Sequence, residues 1–141
     1  MLDEVKIQGN IEIAKMIGWE ETTEEFKIKW VGCKTEERLS RINKKHIPIL
    51  QKDGDVLFPD FSVYDFSSDW KYLMDAMEYI EKINSTIRTE ITTSSCLIYR
   101  NTFVLVSQYM DNEGRRKVEM VFDAVVEFAK KYNKNKEFFK K

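Results

Sequence analysis

A chain of 141 residues with 43% apolar and 33% charged content can build the core of one domain, and its net charge of −1 is too small for disorder. The same balance gives the protein as a whole no electrostatic pull toward nucleic acid or an anionic membrane. No apolar run approaches the roughly 20 residues of a membrane span.

Met1–Asn10 carries Asp3, Glu4 and Lys6 and has no apolar run, so it does not read as a secretory leader, and a cytoplasmic location is expected. Asn10 can cap a short helix whose residues Ile13, Ala14 and Ile17 share one face, and Gly18 suits its C-terminal stop. Phe26, Ile28 and Trp30 then alternate with Lys27 and Lys29, the pattern of a strand with one buried face. Residues 33–66 are expected to form a largely irregular insertion within a single domain spanning 1–141. Thr35–Ile42 offers a helical turn or two, Asp53-Gly54-Asp55 is a turn signal, and Val56–Phe58 reads as a short strand.

A second helix follows, capped by Ser67 or Ser68, with Asp69 in its first turn and Trp70, Leu73, Met74, Met77, Ile80 and Ile83 as its stripe. Three strands come next, at Thr86–Thr92, Ser95–Arg100 and Phe103–Tyr109, with a tight hairpin at Arg100-Asn101. The apolar runs Cys96–Tyr99 and Phe103–Val106 suit strands covered on both faces. Arg115–Asn133 reads as the third helix, with Val118, Val121, Phe122, Val125, Ala129 and Tyr132 inward, and Lys134–Lys141 as a fraying basic tail. Trp70, Leu73, Met77, Val121, Phe122 and Val125 are the expected core. The fold class is α+β: one antiparallel sheet of about four strands packed by three amphipathic helices.

Three stretches resemble the phage "ABA sandwich" family, small proteins of phages and prophages common in bacteria of the Bacteroides group. Ile13-Ala14, Met16, Gly18 and Trp19 resemble its opening helix. Ser67-Ser68-Asp69-Trp70 with Leu73-Met74 resembles its second helix start, and Lys117-Val118, Ala124–Phe128 and Tyr132-Asn133 its final helix. The resemblance implies an α-β-α sandwich with helices on both faces of the sheet. It brings no catalytic residues, and the long 33–66 segment departs from the family's pattern.

The residues themselves offer little catalytic chemistry. His46 is the single histidine and lies beside Lys45, which would make it a poor base. One histidine with Cys33 and Cys96, far apart, cannot make a zinc site, and whether these thiols pair is open. Asp53-Gly54-Asp55 has the wrong glycine spacing for a calcium loop, and Glu20-Glu21 and Glu24-Glu25 suit a solvated surface. No catalytic residue, cofactor or metal is therefore expected.

Charge is distributed unevenly. Residues 34–52 carry six basic against two acidic residues, 53–81 eight acidic against one basic, and 114–141 nine basic against four acidic. A functional surface is expected where packing patterns fail, around Trp19, Arg38, Arg41, Lys44, His46, Tyr64 and Asp65. Basic and aromatic residues there would suit an anionic ring-bearing ligand or a protein hot spot. The expected function is a non-enzymatic phage accessory binding protein. It would inhibit host defence or sequester a ligand, its partner being a host protein, a small anionic molecule or a second copy of itself. The alternative is nucleic-acid binding through residues 34–52 and the C-terminal lysines, and an enzyme stands third.

Overall fold

The computed structural model describes residues 4–21, 50–53, 55–57, 65–111 and 114–140. The expected strand at Phe26–Trp30, the turns at Thr35–Ile42, and Cys33, Arg38, Arg41, Lys44, His46 and Tyr64 lie outside them. The described elements form an α+β fold with two antiparallel sheets. In chain order these are α1 (Glu4–Met16), β1 (Glu20–Glu21), β2 (Leu50–Lys52), β3 (Asp55–Leu57), α2 (Trp70–Ile83), β4 (Ile87–Ile91), β5 (Ser95–Arg100), β6 (Phe103–Tyr109), α3 (Lys117–Lys134) and α4 (Lys136–Lys140).

Helix α1 begins six residues before the expected cap, so Asn10 is an interior, fully buried residue instead of a terminus. Its buried positions, including Ile7, Gly9, Ile11, Ile13, Ala14 and Met16, run around most of the helix, which is why no single stripe announced its true start. Its end is as expected. Gly18 takes φ +109°, the Gly18 N–H donates to Lys15 O at 3.2 Å, and the Trp19 N–H donates to Ala14 O at 2.9 Å. That pair of bonds is the Schellman arrangement, and it turns Trp19 back onto the core. Lys52 reaches from β2 to give its Nζ to Ile17 O at 2.8 Å, another of the carbonyls the helix leaves open.

The turn at Asp53 lies where expected, the strand expected at Val56–Phe58 is found at Asp55–Leu57, and the strand at Leu50–Lys52 is unexpected; most of the 33–66 segment lies outside the described residues. β1, β2 and β3 pair as a small sheet, with Glu21 opposite Leu50 and Gln51 opposite Val56. Runs of two or three residues are too short to show an alternation. The fully buried Leu50 ties this sheet to the common core.

Helix α2 is capped by Asp69, whose side chain accepts the Lys71 N–H at 2.9 Å, and not by either serine. The serines serve Asp65 instead. The Asp65 carboxylate accepts the Ser67 N–H at 3.0 Å, the Ser67 and Ser68 hydroxyls at 2.5 Å each, and the Asn10 amide at 3.2 Å. Asn10 Oδ1 in turn accepts the Phe66 N–H at 3.1 Å. This cluster pins the middle of α1 to the chain entering α2, 55 residues away. Along α2, Leu73, Ala76, Met77 and Ile80 are buried, but Trp70 is 41% exposed, against expectation. Periodicity marks a face of a helix; it does not mark where along the axis the partner surface ends.

The strands β4, β5 and β6 form a meander, and the hairpin turn falls at Asn101-Thr102, with Asn101 at φ 56°. Helices α2 and α3 contact each other and share one face of this sheet, α2 beside β4 and α3 over β5 and β6. Helix α1 stacks on α3. The layers therefore run sheet, helix pair, helix, and no described helix covers the outer face. Arg88, Glu90, Val104, Ser107 and Tyr109 are exposed there, so among the described residues the two apolar strands are packed by helices on one face only. The C-terminal segment does not fray: α4 folds back, and Phe139 packs edge-on to Phe128 at 5.1 Å between ring centres.

Leu73 is fully buried between α2 and the sheet, so Leu73→Ala is expected to lower stability by about 2–5 kcal/mol in chemical denaturation. Asp65 gives an acid-sensitive component. Burial alone raises its carboxyl, but the hydrogen bonds from Ser67, Ser68 and Asn10 outweigh this and hold it below the ordinary 3.8. A depressed carboxylate stabilises the fold above its unfolded value and loses that contribution as pH falls through the folded one. Stability should thus fall as pH drops below 3.8, and Asp65→Asn should lower stability at neutral pH while flattening that acid limb.

Candidate functional site

An open groove of about 520 Å³ lies between α1 and α3, closed at one end by Gln108 of β6. Its floor forms because α1 and α3 approach closely at Gly9. A Cβ built there would lie 2.5 Å from Phe122 Cζ and 2.9 Å from Val126 Cγ2, so only glycine fits without movement. On α3, Phe122 and Val126 are four residues apart and share a face, which turns the ring and the valine methyls toward α1. Val5, 77% exposed, stands at the lip on the α1 side.

The rim is polar and largely locked. Arg115 donates from Nη2 to Asp123 Oδ2 at 2.5 Å and to Gln108 Oε1 at 3.0 Å, and from Nη1 to Tyr109 O at 3.0 Å. Gln108 Nε2 donates to Glu127 Oε2 at 3.5 Å, and Lys131 Nζ stands 4.0 Å from Glu127 Oε1. One guanidinium thus orders the carboxylate and amide rim from the strand to the helix. Deeper in the α1–α3 contact, the Asn133 amide donates to Glu12 O at 3.0 Å and to Glu12 Oε2 at 2.9 Å. The groove walls are therefore fixed at several points along their length.

Rim carboxylates at Glu4, Asp123 and Glu127 are balanced by Lys130 and by Arg115 and Lys131, which pair with Asp123 and Glu127, so the rim is polar but near neutral and the floor is apolar. That combination can hold the apolar part of a ligand or side chain while offering hydrogen-bonding groups at the rim. No thiol, hydroxyl or imidazole is among its lining residues. Cys96 is fully buried in β5, where burial pushes its thiol up to about 11, so it stays protonated and unreactive at neutral pH. Among the described residues no group of three His, Cys, Asp or Glu is placed to hold a metal ion.

The two expected site residues that the structure describes have other work. Trp19 is buried against the core, and Asp65 spends its carboxylate on the pin to α1. Neither reaches the groove. The groove had one readable sign, a glycine inside a helix, where it is unfavourable by about 1 kcal/mol relative to alanine unless packing requires it. Starting the first helix at Asn10 left Gly9 outside it and hid that sign.

No family model, curated protein or solved structure matches this chain.

Gly9→Ala should force Phe122 and Val126 aside, with overpacking outweighing the gain in helix propensity for a net loss of about 1–2 kcal/mol. Thermal melts of the variant against wild type test this, and an unchanged or raised midpoint would show that the two helices can part freely. Thiol titration provides a second check: Cys96 should resist alkylation in the native protein and react once it is denatured.

Proposed function

We propose that this chain is a non-catalytic binding protein that holds a protein partner in the α1–α3 groove. The observation that carries this reading is the groove's construction, with an apolar floor set by a glycine contact and a polar rim ordered by Arg115. Preorganised walls of this kind lower the entropic cost of docking. The apolar floor and the charge-paired polar rim favour a partner segment that presents an apolar side chain flanked by hydrogen-bonding groups. The resemblance to the phage sandwich family suggests a host protein as that partner, met in the bacterial cytoplasm. No helix among the described residues is long and apolar enough to cross a membrane. An anionic ligand would instead call on Arg38, Arg41 and Lys44, since the groove gathers no excess of basic side chains.

Nucleic-acid binding remains the second reading, and one observation favours it. Phe138 is half-exposed, the Arg100 guanidinium lies 5.1 Å from its ring centre, and Lys136 and Lys140 are exposed on the same short helix. A ring beside cations can stack on a base, although a strand-binding surface needs several such rings.

Val5→Arg, at the exposed lip, sets a long charged side chain across the groove mouth while leaving the α1–α3 contact at Gly9 alone. Wild type and variant, immobilised side by side, should differ in one respect: a host protein retained by the first should be lost by the second, with circular dichroism unchanged. Retention by both would place the contact elsewhere. Salt-sensitive retention on a single-stranded DNA column, weakened by Phe138→Ala and unaffected by Val5→Arg, would favour the second reading.

A further inference from the structure

The sheet β4–β5–β6 has two outer edges among the described residues, and they are built differently. On β6 the Met110 N–H donates to Ser94 O at 2.8 Å, so alternation turns the carbonyls of Tyr109, Ser107 and Leu105 away from β5. Two of these are covered from α3 and the loop before it. Lys131 Nζ donates to Leu105 O at 2.7 Å, and Arg115 Nη1 to Tyr109 O at 3.0 Å. A register shift near Leu105, where Ile98 faces Val106 but Tyr99 faces Val104, bends the same edge. Charged side chains and a bulge are the usual means of closing an edge to another strand.

Among the described residues, no side chain caps an outward carbonyl of β4 and no bulge bends it, and its own charges, Arg88 and Glu90, stand on the solvent face. The Asn101 N–H donates to Thr86 O at 2.9 Å and the Thr92 N–H to Ser95 O at 2.8 Å, so even-numbered positions turn their backbone toward β5. Alternation then turns outward the N–H and C=O of Thr89 and Ile91 and the C=O of Ile87. The Ile87 N–H is taken by Asn84 O at 3.0 Å. No other described strand pairs with this edge.

We propose that β4 pairs with β4 of a second copy, antiparallel about a two-fold axis through Thr89, joining the two sheets into one of six strands. The sequence Ile87-Arg88-Thr89-Glu90-Ile91 is complementary to itself when reversed about its centre. In that register the Thr89 N–H of each copy meets the Thr89 C=O of the other, and each Ile91 N–H meets the opposite Ile87 C=O. Arg88 faces Glu90 of the second copy on the solvent side, twice over, and Ile87 faces Ile91 on the side packed by the helices. Tyr99 Oη already donates to Glu90 Oε2 at 3.2 Å and orients that carboxylate on the solvent face. Moving the axis to Arg88 or Glu90 sets like charges opposite each other, which is destabilising, so charge selects the Thr89 register. The same operation on both copies gives a closed, self-complementary dimer. Five residues of edge bury less than a standard interface, so a dissociation constant on the order of 10 µM or weaker is expected.

Sedimentation velocity over a concentration series tests the pairing, independently of any groove partner. Wild type should pass from monomer to dimer as concentration rises. Thr89→Pro removes an outward N–H and no bond to β5, so it should abolish the dimer while the circular dichroism spectrum is retained. Arg88→Glu should weaken the dimer by about tenfold or more, and the exchange Arg88→Glu with Glu90→Arg should restore it. The charge variants decide the matter if Thr89→Pro does not fold. A wild-type monomer at every concentration would overturn the proposal, as would a dimer indifferent to the Arg88→Glu change.

Discussion

Helix α3 is covered from two sides, by the sheet and α2 on one and by α1 on the other, and the rest of the molecule is arranged around that. Its buried residues include Met120 and Ala124 as well as the expected Val121, Phe122 and Val125, so the apolar surface occupies far more than a single stripe. An amphipathic helix with one partner needs about a third of its circumference apolar; a helix with two partners needs much more. The close passage of α1 at Gly9 follows from this, because a second layer that approaches α3 tightly must give up a side chain at the crossing. The groove opens where that crossing diverges, and its floor is the part of α3 that α1 does not fully cover.

Buried polar groups hold the layers at fixed positions. Apolar packing is non-directional and would tolerate small sliding of α1 along α3. The Asn10–Asp65 cluster at one place, the bonds from Asn133 to Glu12 at another, and Lys52 on the Ile17 carbonyl each specify a position along the helix. Of these only the Asn10–Asp65 cluster is fully buried, where losing a partner would be most costly, and the two part-buried contacts add to the penalty on small displacements. Arg115 does the same at the rim, binding strand, helix and side-chain amide with one planar group suited to several acceptors.

The groove and the β4 edge lie on opposite sides of the sheet's width, since α3 sits over β5 and β6 while α2 sits beside β4. Pairing through β4 therefore leaves both grooves open. Two grooves held in fixed geometry would bind a bivalent target more tightly than either alone.

The sequence alone was enough to determine the α+β class, the limits of β5 and β6, the Gly18 stop, the turn at Asp53, and most of the inner faces of α2 and α3. These depend on periodicity and local backbone chemistry, which act within a few residues. Only the tertiary structure decided the true start of α1, the small β1–β2–β3 sheet, the burial of Phe139, the exposure of Trp70, and the placing of both long helices on one face. Each depends on which surfaces meet, and periodicity reports that a face is apolar without naming its partner. The site residues divide the same way. Asp65 attracts attention in sequence as an acid among aromatics, yet its Asn10 partner comes from a distant helix and gives it a structural task. The groove residues carry no unusual local pattern, because two helices and a strand distant in sequence assemble it, and their meeting is set by the volume of one missing side chain at Gly9.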